Sequence, residues 1–349
     1  MKVYLRRCLD LAQRGGPAVA PNPMVGCVIV YNDTIIGEGW HRVYGGAHAE
    51  VEAVRSVTEP ALLPESTLYV NLEPCNHTGK TPPCTDLIIQ VGIRRVVVGC
   101  LDPNPKVAGS GIQRLREAGI EVLLASDPEP FRRLNRFFFL NQAAKRPFVL
   151  LKWAETPNGF IGRKAGERAL LSCTEANRYV HSLRSTYQAI LVGRTTARLD
   201  DPRLSVRLYP GTAPIRLVFD YDCNLSPELN LFSGTAPLIL INHKRDEAVS
   251  ETVRYFKPQR KEAFMDLKVL LEEIYERFSI GSVLVEGGRY VLQQFINQHL
   301  FDEIQVIRTP DILPELDVPA PVLPYQFYFD SYSTLGRDLL LTRTNTLTA

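Results

Sequence analysis

Apolar and polar positions along the chain mark out strands and helices in alternation. An amphipathic helix is predicted over residues 3–14, stopped by Gly15-Gly16-Pro17. Val25 to Tyr31 is an apolar run of strand character, broken at Asn32-Asp33, and Thr34 to Gly37 returns as its hairpin partner. A helix begins near His48, a strand runs from Thr67 to Leu72, and Pro82-Pro83 opens a helix carrying Cys84 to Val91. Arg95 to Gly99 reads as a buried strand, Gly111 to Ala118 as a helix and Ile120 to Leu124 as a last strand. Strands alternating with helices predict an α/β layer with a mixed sheet.

The pattern resets at Asp127-Pro128-Glu129-Pro130, and Phe131 to Ala144 reads as one connecting helix. Arg146-Pro147 then opens a second α/β series. Its strands are predicted at Phe148 to Ala154, Ala189 to Val192, Ile215 to Asp220, Leu238 to Asn242, Ser282 to Glu286 and Glu303 to Ile307. Helices fit at 173–184, 267–278 and 289–298, and Pro310 to Pro324 reads as a surface connection to a final strand. At 349 residues the chain suits two domains, 1–144 and 145–349.

Composition narrows the setting. A net charge of +2 gives no electrostatic case for a nucleic-acid or membrane partner. No stretch approaches the roughly 20 apolar residues of a membrane span, and the N-terminus lacks the apolar core of a signal peptide. Seven scattered cysteines do not form a disulfide framework, so a cytoplasmic location is expected.

The candidate chemistry begins at His48-Ala49-Glu50, followed by Pro74-Cys75 and Cys84. One His and two Cys can supply three zinc ligands and leave a fourth position for water, while a nearby Glu can carry protons. Side chains two apart on a helix do not share a face, so Glu50 is better placed beside the ion than on it. A closed zinc knot with His77 as fourth ligand is the alternative, but it leaves Glu50 unexplained. Cys8, Cys27, Cys100, Cys173 and Cys223 read as ordinary core residues. Gly79-Lys80-Thr81 is not a P-loop, because Pro74 stands where that motif needs its first glycine.

The second half has no Gly-x-Gly-x-x-Gly after its first strand, so a standard dinucleotide fold is unsupported. It offers Glu286-Gly287-Gly288-Arg289 between a buried strand and a helix, where glycines let backbone amides approach a phosphate. A polar loop from Gly193 to Leu204 follows another strand. Lys152 lies in an apolar strand, where it needs a partner; Glu286 is a candidate partner or acid.

Asn22-Pro23-Met24-Val25-Gly26, His48-Ala49-Glu50, the segment from Glu73-Pro74-Cys75 to Pro82-Pro83-Cys84, and Asp102-Pro103-Asn104-Pro105 resemble the bifunctional riboflavin-biosynthesis deaminase/reductases. The resemblance covers essentially the whole chain. It implies a cytidine-deaminase-like three-layer domain with a mixed sheet, then a dihydrofolate-reductase-like α/β domain. The implied reactions are zinc-dependent hydrolytic deamination of a phosphoribosylaminopyrimidine and NADPH-dependent reduction of its ribose to ribityl. It further implies zinc at His48, Cys75 and Cys84, with Glu50 catalytic, and substrate contacts from Asn22, His41, His77, Lys80, Asp102 and Asn104. In the second half it implies Lys152 and Glu286 as catalytic residues. Arg168, Arg184, Leu204, Arg207 and Glu286 fall at substrate positions, and Ala154, Leu170, Thr196, Asp200, Gly287 and Gly288 at cofactor positions. For His41 a plain surface histidine stays an equal reading, and for either arginine a solvated face. The chain departs from the family at Thr156 and Asn158, where Ser and Asp are common, and at Arg168 to Ser172, where Ser-x-Trp-Ile-Thr is common. The expected partner is a small-molecule substrate, with no nucleic acid or membrane, in a homo-oligomer. Two other readings are a zinc deaminase of another base beside an inactive second domain, and a zinc-stabilised nucleotide-binding module without turnover.

Overall fold

The computed structural model describes residues 2–79, 82–104, 108–163, 170–325 and 327–345. The chain forms two compact units, Met1–Ala144 and Lys145–Ala349.

In the first unit the helices are α1 (Lys2–Gln13), α2 (Ala49–Ser56), α3 (Cys84–Gln90), α4 (Ser110–Glu117), α5 (Glu129–Leu134) and α6 (Arg136–Ala144). The strands are β1 (Gly26–Tyr31), β2 (Thr34–Trp40), β3 (Thr67–Leu72), β4 (Arg95–Cys100) and β5 (Glu121–Leu124). They pair in the order β2-β1-β3-β4-β5, antiparallel at β2/β1 and β1/β3, parallel beyond. The uninterrupted apolar strands follow from burial on both faces. Cys27, Ile29, Leu68, Val70, Val96 and Val98 pack toward α2, α3 and α4. Val28, Val30, Tyr69 and Val97 pack toward Leu5, Cys8 and Leu11 of α1 and Phe131 of α5. Helices on both sides of one mixed sheet make three layers.

Helix α2 sits unusually close to β2. A Cβ on Gly39 would lie 2.3 Å from the Ala53 nitrogen and 2.5 Å from the Ala49 oxygen, so only glycine lets the helix seat here. The single helix expected over 131–144 is instead two, separated at Asn135. The buried Asn135 side chain turns inward, accepting from the Met24 amide at 2.8 Å and donating to the Met24 carbonyl at 2.9 Å. Asn71 holds the same segment by accepting from Gly26 N at 2.7 Å and donating to Met24 O at 3.0 Å.

The second unit contains β6 (Phe148–Glu155), β7 (Phe160–Gly162), β8 (Ala189–Gly193), β9 (Ile215–Phe219), β10 (Leu238–Ile241) and β11 (Glu247–Ala248). It continues with β12 (Val253–Phe256), β13 (Ser282–Val285), β14 (Glu303–Arg308), β15 (Val318–Pro319), β16 (Ser331–Leu335) and β17 (Asp338–Thr344). Its helices are α7 (Thr174–Thr186), α8 (Arg194–Leu199), α9 (Leu267–Phe278) and α10 (Arg289–Asn297). The main sheet runs β11-β12-β10-β9-β8-β13-β6-β14-β17-β16, parallel from β12 to β14. Val149, Leu151 and Trp153 of β6 join α9 and α10 in the main core, while Ala176 and Val180 of α7 cover the other face with Ile307 and Leu340. The expected loop after Gly193 is folded at its start into α8, and the proline-rich connection carries β15, which pairs with β7.

Candidate active sites

In the first unit, strand and helix ends deliver three metal-binding side chains to one point. His48 caps the start of α2, Cys75 follows β3, and Cys84 is the first residue of α3. Their ligand atoms all lie within 4.8 Å of one another. His48 Nδ1 is 3.6 Å from Cys75 Sγ and 3.3 Å from Cys84 Sγ. Tetrahedral zinc with ordinary bond lengths separates a ligand nitrogen from a ligand sulfur by about 3.5 Å. The donor set therefore fits zinc in both chemistry and spacing. The thiols are already polarised: a hydrogen bond from Cys84 pushes Cys75 down to about 4, against burial, and the same bond with burial pushes Cys84 up. His77 is exposed and lies outside this cluster, so the closed-knot reading fails among the described residues.

Glu50, on the first turn of α2, is buried beside Cys84; burial, reinforced by Cys75, raises its affinity for a proton. Asn22 Nδ2 donates to His41 Nε2 at 3.2 Å, while His41 Nδ1 donates to the Ala47 carbonyl at 2.9 Å. The carbonyl can only accept, so the proton sits on Nδ1, and burial keeps the ring neutral. His41 is thus no surface histidine; it is 2% exposed. Asp102 accepts from the Asn104 amide at 2.7 Å, and burial pushes its carboxyl up to about 6. Lys80 lies outside the described residues.

Sequence reasoning missed Glu73. Its buried carboxylate accepts four backbone amides: Asp102 at 3.2 Å, Gly109 at 3.0 Å, Gly111 at 3.0 Å and Ile112 at 3.3 Å. It caps α4 and ties the Asp102 loop to the strand that leads to Cys75.

In the second unit a cavity of 690 Å³ opens at the carboxyl ends of β6, β8, β9 and β13, where ligands of parallel sheets bind. Lys152, Ala154, Leu170, Thr196, Asp200, Glu286 and Gly288 all line it. Gly287 stands behind its wall, with no room for a Cβ, which would lie 2.5 Å from Val192 Cα. Gly288 has φ +68 and faces Thr196, whose Oγ1 would be 2.9 Å from a Cβ there. A bare backbone at the mouth of α10 and a cavity of this size fit a dinucleotide. Arg184, Leu204 and Arg207 are not among the lining residues, and Arg168 lies outside the described residues.

Arg184 is not a solvated arginine. It pairs bidentately with Glu286, at 2.9 and 2.7 Å, and both are largely buried. Burial alone would raise the Glu286 carboxyl, but Arg184 and Lys152 hold it at about 2. Burial pushes the Lys152 ammonium below its ordinary value, and Glu286 opposes the fall. Glu286 is therefore ionised at neutral pH: of the two roles expected from sequence, the geometry suits a partner and not an acid.

Comparison with known proteins decides the family. Residues 1–100 match the cytidine and deoxycytidylate deaminase zinc-binding region, and residues 147–339 match the RibD C-terminal domain. The riboflavin biosynthesis protein RibD of Aquifex aeolicus is 38% identical over 90% of this chain and 88% of its own length. That of Escherichia coli is 37% identical over 89% of this chain and 88% of its own. The solved diaminohydroxyphosphoribosylaminopyrimidine deaminase/5-amino-6-(5-phosphoribosylamino)uracil reductase of Thermotoga maritima superposes with a TM-score of 0.87 at 34% identity, covering 98% of this chain and 97% of that one. Acinetobacter baumannii RibD gives 0.86 at 30% identity with the same coverage.

The chain belongs to the RibD family. It is a bifunctional riboflavin-biosynthesis enzyme with a zinc deaminase domain and a reductase domain of the kind that uses NADPH. No helix among the described residues is long and apolar enough to cross a membrane.

Proposed function

We propose that the two reactions run at the two sites just described, deamination in 1–144 and reduction in 145–349. The observation that carries this reading is the separation of their chemistry: His48, Cys75, Cys84 and Glu50 lie wholly in one compact unit, and the Lys152/Glu286 cavity lies wholly in the other. The first substrate is 2,5-diamino-6-(5-phosphoribosylamino)pyrimidin-4(3H)-one. Asn22, oriented by neutral His41, presents its remaining amide atoms to the base edge, and Lys80 serves the phosphate. Zinc, when bound by His48, Cys75 and Cys84, supplies an acidified water at the amino-bearing ring carbon. Glu50, buried beside the cluster, would move two protons: one from the attacking water to the ring nitrogen as oxygen adds, and one from the resulting hydroxyl to the amino nitrogen as its bond to carbon breaks, so that ammonia leaves and a carbonyl remains. Its burial removes competing solvent from this transfer.

The product, 5-amino-6-(5-phosphoribosylamino)uracil, is the substrate of the second site. NADPH, when bound along Ala154, Leu170, Thr196, Asp200 and the Gly287-Gly288 turn, supplies a hydride for the sugar carbon bonded to nitrogen. As the bond from that carbon to the ring oxygen breaks, the oxygen must gain a proton. Lys152, whose ammonium gives up a proton more readily because it is buried, is the group suited to donate it. Glu286 stays ionised, balances Lys152 and fixes Arg184. Arg207 is the arginine assigned to the phosphate-bearing sugar, while Arg184, its fork taken by Glu286, steadies the same loop through the Ser205 carbonyl. A cytoplasmic setting suits this chemistry, since all seven cysteines are free thiols, and a homo-oligomer is the proposed assembly, checked by light scattering.

Substitution separates the two halves. Glu50→Gln should keep zinc and lose deamination, yet still reduce supplied 5-amino-6-(5-phosphoribosylamino)uracil; Lys152→Ala should do the reverse. One substitution silencing both reactions in folded protein would refute the two-site reading.

A further inference from the structure

We propose that His181 is a positioning residue of the reductase site: its unprotonated Nδ1 accepts the Arg207 amide and holds the 204–207 loop on α7, so that proton uptake by His181 releases the loop and weakens binding of the phosphorylated substrate. The inference rests on the assignment of Leu204 and Arg207 to the substrate.

His181 is 5% exposed and lies on α7 three residues before Arg184, so the two share a face. Arg207 N donates to His181 Nδ1 at 3.0 Å. A backbone amide can only donate, which fixes the tautomer with the ring proton on Nε2. Arg184 holds the same loop two residues earlier, donating to the Ser205 carbonyl at 3.4 Å while it grips Glu286. The Arg207 guanidinium folds back onto Ser205 Oγ at 2.6 Å. Leu204 has φ +51, a left-handed conformation that costs a leucine energy and persists only where neighbours enforce it. The loop is thus a strained segment fastened at two points, and one of the fasteners can change its protonation.

The charged groups that act on His181 are Arg184 on its own helix, Arg207 on the loop, Lys152 from β6 and Glu286 after β13. Burial and then the three cations lower its affinity for a proton, while Glu286 opposes them. The neutral, loop-holding ring therefore prevails at neutral pH. Protonation, below the ordinary histidine value of about 6.5, sets an N–H donor against the Arg207 donor. It also adds a fourth positive charge to the cluster.

The test measures reductase KM for 5-amino-6-(5-phosphoribosylamino)uracil from pH 8 to pH 5.5, and hydrogen exchange of the loop amides in the full chain. His181→Leu removes the acceptor and should raise KM about tenfold at pH 8, with kcat changed far less and faster exchange at Arg207. His181→Asn places an amide oxygen near the Nδ1 position and does not titrate, so it should restore both. The substrate phosphate itself titrates near pH 6, equally for every variant. The wild-type KM should nevertheless climb several-fold more on acidification than that of His181→Asn. Identical acid responses in those two proteins, or unchanged exchange in His181→Leu, would overturn the proposal. Faster exchange in His181→Leu with KM unchanged both there and in Arg207→Ala would instead take the loop out of the substrate site, and the underlying reading would fall.

Discussion

The Arg184–Glu286 pair offers a quantitative check on the reductase cavity. Arg184→Met removes the bidentate partner of a carboxylate that keeps 8% of its side-chain surface exposed. Holding that carboxyl at about 2 instead of the ordinary ~4.3 corresponds to on the order of 3 kcal/mol of folded-state preference for the charge. Lys152 stays behind as a weaker counter-charge, so the expected loss at pH 7 is about 3 kcal/mol, at the lower end for breaking a buried pair. The pH dependence has a defined sign. Because the folded value lies below the unfolded one, the stabilisation is complete above about pH 4.5 and is lost as pH falls toward 2. The gap between wild type and variant should therefore be widest at neutral pH and narrow below about pH 4.5. Trp153 is the single tryptophan of residues 145–349 and is 4% exposed, so its fluorescence in a Trp40→Phe background reports unfolding of this unit alone. Urea titrations of the wild type, Arg184→Met, Glu286→Gln and the double variant form a thermodynamic cycle. A cost below about 1 kcal/mol for Arg184→Met, or a gap that does not narrow with acid, would refute the account of this pair.

Cys84→Ser should lose the metal, measured by elemental analysis of the purified chain, and keep reductase activity. Glu73→Gln should retain zinc but loosen the Asp102 loop. An amide offers no second acceptor oxygen for the four backbone donors, so deaminase KM should rise about tenfold; an unchanged KM would exclude that tether. Leu170, exposed on the cavity wall, offers the proposed cofactor site apolar area without a flat ring. Leu170→Trp should tighten NADPH binding a few-fold in a fluorescence titration, and no reduction by the natural chain at saturating NADPH would mean an inactive second half.

The convergence of His48, Cys75 and Cys84 was legible in the sequence because metal-binding chemistry restricts the residue types and spacing. Strand positions were legible for a related reason: sheets covered on both faces leave apolar runs that stand out against polar connections. What escaped depends on contacts distant in sequence. Asn135 breaks a helix in order to reach Met24, 111 residues away, and no local pattern announces that bond. His181 and Arg207 are 26 apart, and His181 reads locally as one more polar residue on an amphipathic helix. The strands β11 and β15 are too short for a sequence signature. Arg184 shows the opposite limit: its type suggested an anion, but only the three-dimensional pairing revealed that Glu286 already occupies its fork.

The close approach at Gly39 gives the zinc site a mechanical tolerance. His48 and Glu50 ride together at the start of α2, whereas Cys75 and Cys84 hang from β3 and α3. The missing methyl group on β2 therefore sets the clearance between two halves of one coordination sphere. With helix backbone atoms at 2.3 and 2.5 Å, an added carbon has no flexible neighbour to displace, and the whole helix must lift or the strand must buckle. Such a shift would carry His48 and Glu50 away from Cys75 and Cys84 as a rigid block. A misplacement of an ångström is enough to cost about a hundredfold in rate. The chemistry of this site is thus gauged partly by a position that never touches metal, water or substrate.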